Sequence, residues 1–345
     1  MQVYEITLQP LTGFGTPLKG DTIFGHFCWQ LAYDASLCAK PLTEALKAYA
    51  EKPFAVFSSA YPRFIDSKGV VYALRTPVLP LESLFVMPED KGERLAKRKD
   101  YKKLRWMLYP EGSRIDLFKS MAFESDEGLF EKFCTGAPPE TRRTLKSTRS
   151  TRLAEEFTQS HNTINRMTGT TGEGGFAPYA VDQIMFAPGV ELVLFASIDN
   201  TVISREQLTT GLQRIGESGF GRDASTGLGR FRLCEVRQAD LTAMGSSSPN
   251  ACYTLGPCVP KKGAFGNMFF LPFTRFGRHG DMLAKSSNPF KTPVIMADEA
   301  AILTPADRSV FDRPYIGTAV RNISKAEPAT VTQGYSLYVP VKVEA

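Results

Sequence analysis

Residues 219–232 read Gly-Phe-Gly-Arg-Asp-Ala-Ser-Thr-Gly-Leu-Gly-Arg-Phe-Arg, and this stretch restricts the fold more than any other. Four glycines, Gly219, Gly221, Gly227 and Gly229, fall within eleven residues, with Arg222, Ser225, Thr226 and Arg230 among them. A backbone without Cβ atoms turns sharply and approaches a ligand closely. Its amides are suited to an anion-binding nest, and arginines beside it add charge-assisted bonds to phosphate. The flanks decide between ligands. Upstream, Ser204 predicts a helix N-cap with Gln207 three residues on, and Leu208, Leu212 and Ile215 recur at helical spacing. Downstream, residues 231–237 read as a short strand. The order is helix, loop, strand. A dinucleotide fingerprint needs strand, loop, helix, so that class is excluded. A plain surface loop remains the alternative.

At 345 residues and 43% hydrophobic content the chain has material for two domains and a substantial core. The net charge of +5 is modest, but its distribution is uneven. Residues 91–105 carry Lys91, Arg94, Lys97, Arg98, Lys99, Lys102, Lys103 and Arg105 against Glu93 and Asp100, a net +6. Residues 142–152 add Arg142, Arg143, Lys146, Arg149 and Arg152 with no acid, a net +5, so the rest of the chain stands at −6. Localised positive charge suits a surface that tracks a nucleic-acid backbone; a solvated helix face or a mobile loop accounts for the first run equally well. Six cysteines without a Cys-x-x-Cys pair and only three histidines speak against structural zinc, and no cofactor is called for. Residues 1–10 read as a strand rather than a secretory leader, and no apolar run of membrane-spanning length occurs. A cytoplasmic protein with reduced thiols and no membrane contact is expected.

In chain order, residues 2–9 alternate as a half-buried strand does, and a turn rich in glycine and proline follows at 11–20. Asp21 or Thr22 is placed to cap a helix with Ile23, Phe24, Phe27, Cys28 and Leu31 on one face. Lys19 and Gly20 fail the Walker pattern, yet a lysine at a helix N-terminus is a candidate phosphate contact. A short helix at 42–51 and strands at 54–64 and 70–81 are expected next. Residues 82–160, charged and poorly periodic, read as an insertion, partly helical and partly mobile. A hairpin-like projection follows, with arms at 162–168 and 176–183 and a tip at 169–175. Its bulky Met167, Phe176 and Tyr179 are suited to wedging against bases, or else to packing on their own domain. A strand at 191–199 precedes the helix. Without insertion and hairpin, the order is strand, helix, two strands, helix, strand, the ferredoxin-like βαββαβ order. Residues 238–250 read as a linker, and strands are expected at 267–273, 293–297 and 335–343.

Three features together, the Gly-Thr-Pro-Leu-Lys-Gly-Asp-Thr-Ile-Phe-Gly turn, the His-Asn-Thr-Ile-Asn-Arg-Met-Thr-Gly segment and the glycine-rich loop, resemble the RAMP superfamily of CRISPR proteins. The nearest branch is that of the fourth Csm subunits of type III-A interference complexes, relatives of the Cas-five group. The C-terminal Gln-Gly-Tyr-Ser-Leu-Tyr-Val-Pro-Val is similar to that family's ending. The resemblance implies an α+β fold of two ferredoxin-like (RRM-like) domains, at 1–237 and 251–345, the first carrying the insertion and a thumb-like hairpin at 160–183. It implies a non-catalytic subunit that caps the repeat-derived 5′ tag of crRNA, docks on a large cyclase/polymerase-like subunit and a backbone RAMP subunit, and meets target RNA indirectly. The residues it points to are Lys19, Gly20, His161, Asn162, Arg166, Gly219, Gly221, Arg222, Ser225, Thr226, Gly227, Gly229 and Arg230. The insertion has no counterpart in it.

A rival reading is a metal-independent endoribonuclease, since processing enzymes occur in the same superfamily. Such chemistry needs a general base for a 2′-hydroxyl, for which His26, His161 and His279 are the candidates, His161 being better placed than His26. His26 falls among apolar helix positions and suits a structural role better. No carboxylate cluster suggests metal-dependent cleavage. A third reading, a scaffold whose loop contacts another subunit, is compatible with the RNA role.

Overall fold

The computed structural model describes every residue except Lys68, Arg149 and Ala345, so Arg149 of the second basic run lies outside the described residues. The chain opens with β1 (Gln2–Pro10), α1 (Gly20–Tyr33) and α2 (Leu42–Ala48). Strands β2 (Ala55–Phe57), β3 (Tyr61–Asp66) and β4 (Gly69–Arg75) follow. The insertion supplies α3 (Leu81–Leu84), α4 (Lys91–Tyr101), β5 (Trp106–Pro110), β6 (Ala122–Glu124), α5 (Asp126–Gly136) and α6 (Pro139–Thr148). The hairpin β7 (Ala154–His161) and β8 (Tyr179–Phe186) leads into β9 (Glu191–Ile198), α7 (Arg205–Ser218) and β10 (Phe231–Gln238).

The main sheet runs β10-β1-β9-β3-β4-β5-β6, with β2 also pairing β9. Its first four members are the ferredoxin order, fourth strand, first, third, second, all antiparallel. Here β2 and β3 share the role of second strand, while β4, β5 and β6 extend the sheet beyond it. Helix α1 meets α7 closely: a Cβ on Gly211 would sit 2.5 Å from the Phe27 ring. The Ser204–Gln207 capping box starts α7 as its sequence predicts.

Several expectations need correcting. Strand β1 is buried from Val3 to Leu8, not on alternate residues, because both faces of the sheet are covered. Glu5 is tolerated there because Arg237 and the Tyr72 hydroxyl, 2.9 and 3.0 Å away, satisfy its carboxylate. Helix α1 begins at Gly20 behind Lys19, with no side-chain cap; Asp21 lies in its first turn, buried against Arg275. The strand expected at 70–81 stops at Arg75. The insertion is built into the sheet through β5 and β6, and residues 154–160 belong to the hairpin.

The second half contributes β11 (Ala251–Thr254), β12 (Phe265–Phe269), β13 (Pro272–Arg275), β14 (Val294–Ala297), β15 (Ile302–Pro305), β16 (Tyr315–Gly317) and β17 (Tyr335–Val341). Five of these form a sheet in the order β12-β15-β11-β17-β16. The ferredoxin order recurs in β12-β15-β11-β17, but among the described residues its crossovers hold no α-helix: the first is a plain loop, and the second carries one 3-10 turn and β16. Tyr253, Leu255, Leu337 and Val339 join one buried cluster with the main sheet's β1 and β9.

Candidate nucleic-acid interface

The glycine-rich loop is built against the turn at residues 11–20. Gly219, Gly221, Gly227 and Gly229 all take positive φ. Gly229 shows why glycine is required: its φ is +73°, and a Cβ there would lie 2.1 Å from the Phe220 carbonyl oxygen. Its N–H donates to Gly13 O at 2.7 Å, while Phe220 N–H donates to Gly229 O at 3.0 Å. Arg230 N–H donates to Thr12 Oγ1 at 2.9 Å, and Arg222 N–H to Thr16 Oγ1 at 3.0 Å. Thr226, Gly227 and Leu228 donate within the loop, to Asp223 and Ala224 carbonyls. The expected nest of free amides is therefore confined to one short run. Among the described residues only the N–H groups of Asp223, Ala224 and Ser225 make none of these bonds. The loop offers a fixed contour with Arg222, Ser225, Thr226 and Arg230 exposed along it.

His26 holds this contour from behind. Its Nε2 accepts the Gly221 N–H at 3.0 Å, and its ring lies 4.6 Å from that of Phe220. Burial, with Lys291 adding to it, lowers its pKa to about 4, so the ring is neutral and its acceptor is available near neutral pH. This is the structural role its helix position suggests, and it occupies the nitrogen that a general base at the loop would need.

The hairpin rises from the same place. Phe14 and Ile184 exchange two backbone hydrogen bonds of 2.9 Å, and the Phe14 ring meets Phe186 edge-on at 5.6 Å. A Cβ on Gly13 would fall 1.9 Å from Gln183 Oε1, so glycine there lets the hairpin base close on the turn. The Arg222 guanidinium donates to the Asp182 carbonyl, tying loop to hairpin. The arms are β7 and β8, paired from Ala154↔Phe186 to His161↔Tyr179, earlier and longer than the sequence suggests. Asn162, Arg166 and Met167 consequently lie in the tip, where Asn165 Oδ1 accepts the Met167 N–H at 2.9 Å and leaves the Met167 side chain 93% exposed. His161 stacks on Tyr179, ring centroids 5.3 Å apart, three residues beyond the Thr158 level that faces Asp182. At strand rise that is about 10 Å further along the hairpin. His161, Asn162 and Arg166 are thus set apart from the loop, along one projection.

Lys19 and Gly20 do not face it as free ligands. The Lys19 ammonium is paired with Asp298, 4.5 Å from the Phe273 ring centroid, and Gly20 is buried where a Cβ would meet Phe57 O at 2.1 Å. A feature the sequence does not announce lies beside the hairpin base. A cavity of about 620 Å³ is lined by Phe14, Ile184 and Phe186 together with Trp106, Arg105 and Arg152, so the ends of the two basic runs meet there. The Arg75 guanidinium lies 4.0 Å over the Trp106 ring, and Trp106 Nε1 donates to Asp126 at 2.7 Å. Among the described residues no group of three or more His, Cys, Asp or Glu is placed to hold a metal, and no helix is long and apolar enough to cross a membrane. The six cysteines are free thiols.

No family model and no curated protein matches the sequence. Solved structures do. A chain of the Csm1-Csm4 cassette in complex with AMPPNP is 14% identical, with TM-score 0.56 over 100% of both chains. A chain of the same cassette with pppApA is 14% identical, with TM-score 0.55 over 100% of this chain and 98% of that one. A chain of the Csm3-Csm4 subcomplex of the type III-A CRISPR-Cas interference complex gives 14% identity and TM-score 0.53 over 99% and 100%. Csm4 is named in each of these assemblies, and the chain shares the fold of the matched chains from end to end.

Proposed function

We propose that this chain is a non-catalytic subunit of a cytoplasmic type III CRISPR effector complex. In this reading residues 1–237 and 251–345 act as its two RAMP domains. It holds the repeat-derived 5′ tag of crRNA along the glycine-rich loop, with the hairpin as a thumb beside the strand. It docks on a large cyclase/polymerase-like subunit and on a backbone RAMP subunit, and target RNA reaches it only through the crRNA.

The observation that carries this reading is the joint between loop and hairpin. Arg222 bridges them, Arg230 is exposed at the loop's end, and the bracing by His26, Thr12 and Thr16 presets the contour. Arginines on a fixed loop contact phosphates, while exposed Met167, Phe176 and Tyr179 on the hairpin are suited to unstacked bases. The solved Csm4-containing assemblies support the choice of complex. An endoribonuclease is disfavoured by the engagement of His26 and by the distance of His161 along the hairpin.

The test is a titration with tagged and untagged crRNA across a salt series. Wild type should prefer the tagged RNA, and Arg222→Ala/Arg230→Ala should lose that preference. Each phosphate contact removed should flatten the log–log salt slope by about 0.7. Arg230→Ala alone leaves the Arg222 brace in place and should show one such decrement. An unchanged tag preference in the double variant would falsify the assignment.

A further inference from the structure

The second hairpin, β13–β14, has two unlike faces. Its ladder runs from Pro272↔Ala297 to Arg275↔Val294 and continues to a bridge between Arg278 and Phe290. One face is seated on the body: Val294 and Met296 are buried, and Arg275 grips Asp21 of α1 with bonds of 2.5 and 2.9 Å. Asp281 accepts from Tyr33 of α1 at 3.0 Å, and His279 meets Ser324 at 2.7 Å. The other face is open. Phe276 and Phe290, 77% and 70% exposed, are the two most exposed aromatic rings among the described residues. Phe276 and Arg278 alternate onto the same side, and the Arg278 guanidinium lies 5.5 Å from the Phe290 ring centroid.

We propose that this face is a base-stacking platform for single-stranded RNA, continuous with the glycine-rich loop. Two aromatic rings on neighbouring strands of an exposed ribbon, with an arginine between them, are the arrangement by which sheet-based RNA binders stack successive bases. The charge of the ribbon fits a polyanion: Arg278 and Lys285 are exposed, and the one acid within residues 272–297, Asp281, is turned to Tyr33. Helix α1 provides the continuity. It carries Asp21 and Tyr33 under the hairpin and His26 under Gly221, so platform and loop share one support. The backing also means that stacking here orders little that is not already ordered. The proposal rests on the RNA-holding role above and adds to it a second contact that reads no sequence.

The experiment uses the full chain and single-stranded RNAs carrying 2-aminopurine at successive positions from the 5′ end. Wild type should quench the probe at adjacent positions. Phe276→Ala/Phe290→Ala should abolish that quenching and weaken binding roughly tenfold or more per ring, with the salt slope unchanged. Phe276→Trp/Phe290→Trp should restore both, which separates stacking from folding. Wild-type affinity and quenching in the alanine pair would overturn the platform while leaving the loop assignment standing. Retained RNA affinity with lost binding to the co-purified large subunit would reassign the face to a protein. Failure of wild type to bind any RNA would overturn both readings.

Discussion

The two hairpins occupy the same topological position. Each is inserted between the second and third strands of a sheet in ferredoxin order: β7–β8 before β9, and β13–β14 before β15. Their attachments differ. The first pairs only with itself beyond a single bridge at Phe14, and both its faces are exposed along most of β7. The second is tied to α1 by a buried ion pair and packs its buried apolar residues against Val259, Val320 and Ile323. The same insertion point therefore yields a projecting arm or a seated ribbon, according to whether one strand face carries residues that can be buried. Among Glu155, Glu156, Thr158 and Gln159, β7 has only the lone Phe157, which stays 50% exposed, whereas Val294 and Met296 give β14 two buried residues on one face.

That comparison can be broken at the anchors. Phe14→Ala should have the largest effect, about 4 kcal/mol of lost stability in urea titration, because it empties the contact between Phe186 and Phe220. A loss below about 1 kcal/mol, well under the range for buried phenylalanine, would mean the arm is held elsewhere. Asp21→Ala should cost roughly 3 kcal/mol, the low end for a broken buried pair because Arg275 keeps some water contact. Amide exchange at residues 272–297 should then rise towards that of the first hairpin; unaltered protection would show that apolar contacts alone seat the ribbon.

At mildly acid pH, where the proton is only partly bound, the smallest effect sharpens the comparison. Burial depresses the folded-state pKa of His26 from 6.5 to about 4. Between those values the unfolded chain binds the proton and the folded chain does not, so stability is complete above about pH 6.5 and declines as pH falls towards 4. Protonation also removes the acceptor for Gly221 N–H, so the loop and the arm tied to it should loosen before the seated ribbon. Equal acid sensitivity in the two hairpins, followed by amide exchange, would count against this.

The sequence made some elements plain and concealed others. Helix α7 was legible because its capping box and apolar spacing are local signals, and so was the helix–loop–strand order around the four glycines. The first hairpin's arms were placed too late because β7 is polar on both faces and shows no alternation to read. Lys19 looked like a ligand for phosphate because its partner, Asp298, is 279 residues away in the chain. The convergence of Arg105 and Arg152 on one cavity depends on the same kind of distant pairing. The short strands of the second sheet, four residues in β11 and β15, carry too little pattern to identify alone.

The near-complete internal bonding of the glycine-rich loop has a kinetic corollary. In the proposed RNA-holding role, a mould already cast before its guest arrives demands no induced closure, so capture should run at a rate set by encounter and electrostatic steering. Release, in turn, should be governed by how many separate grips must open together.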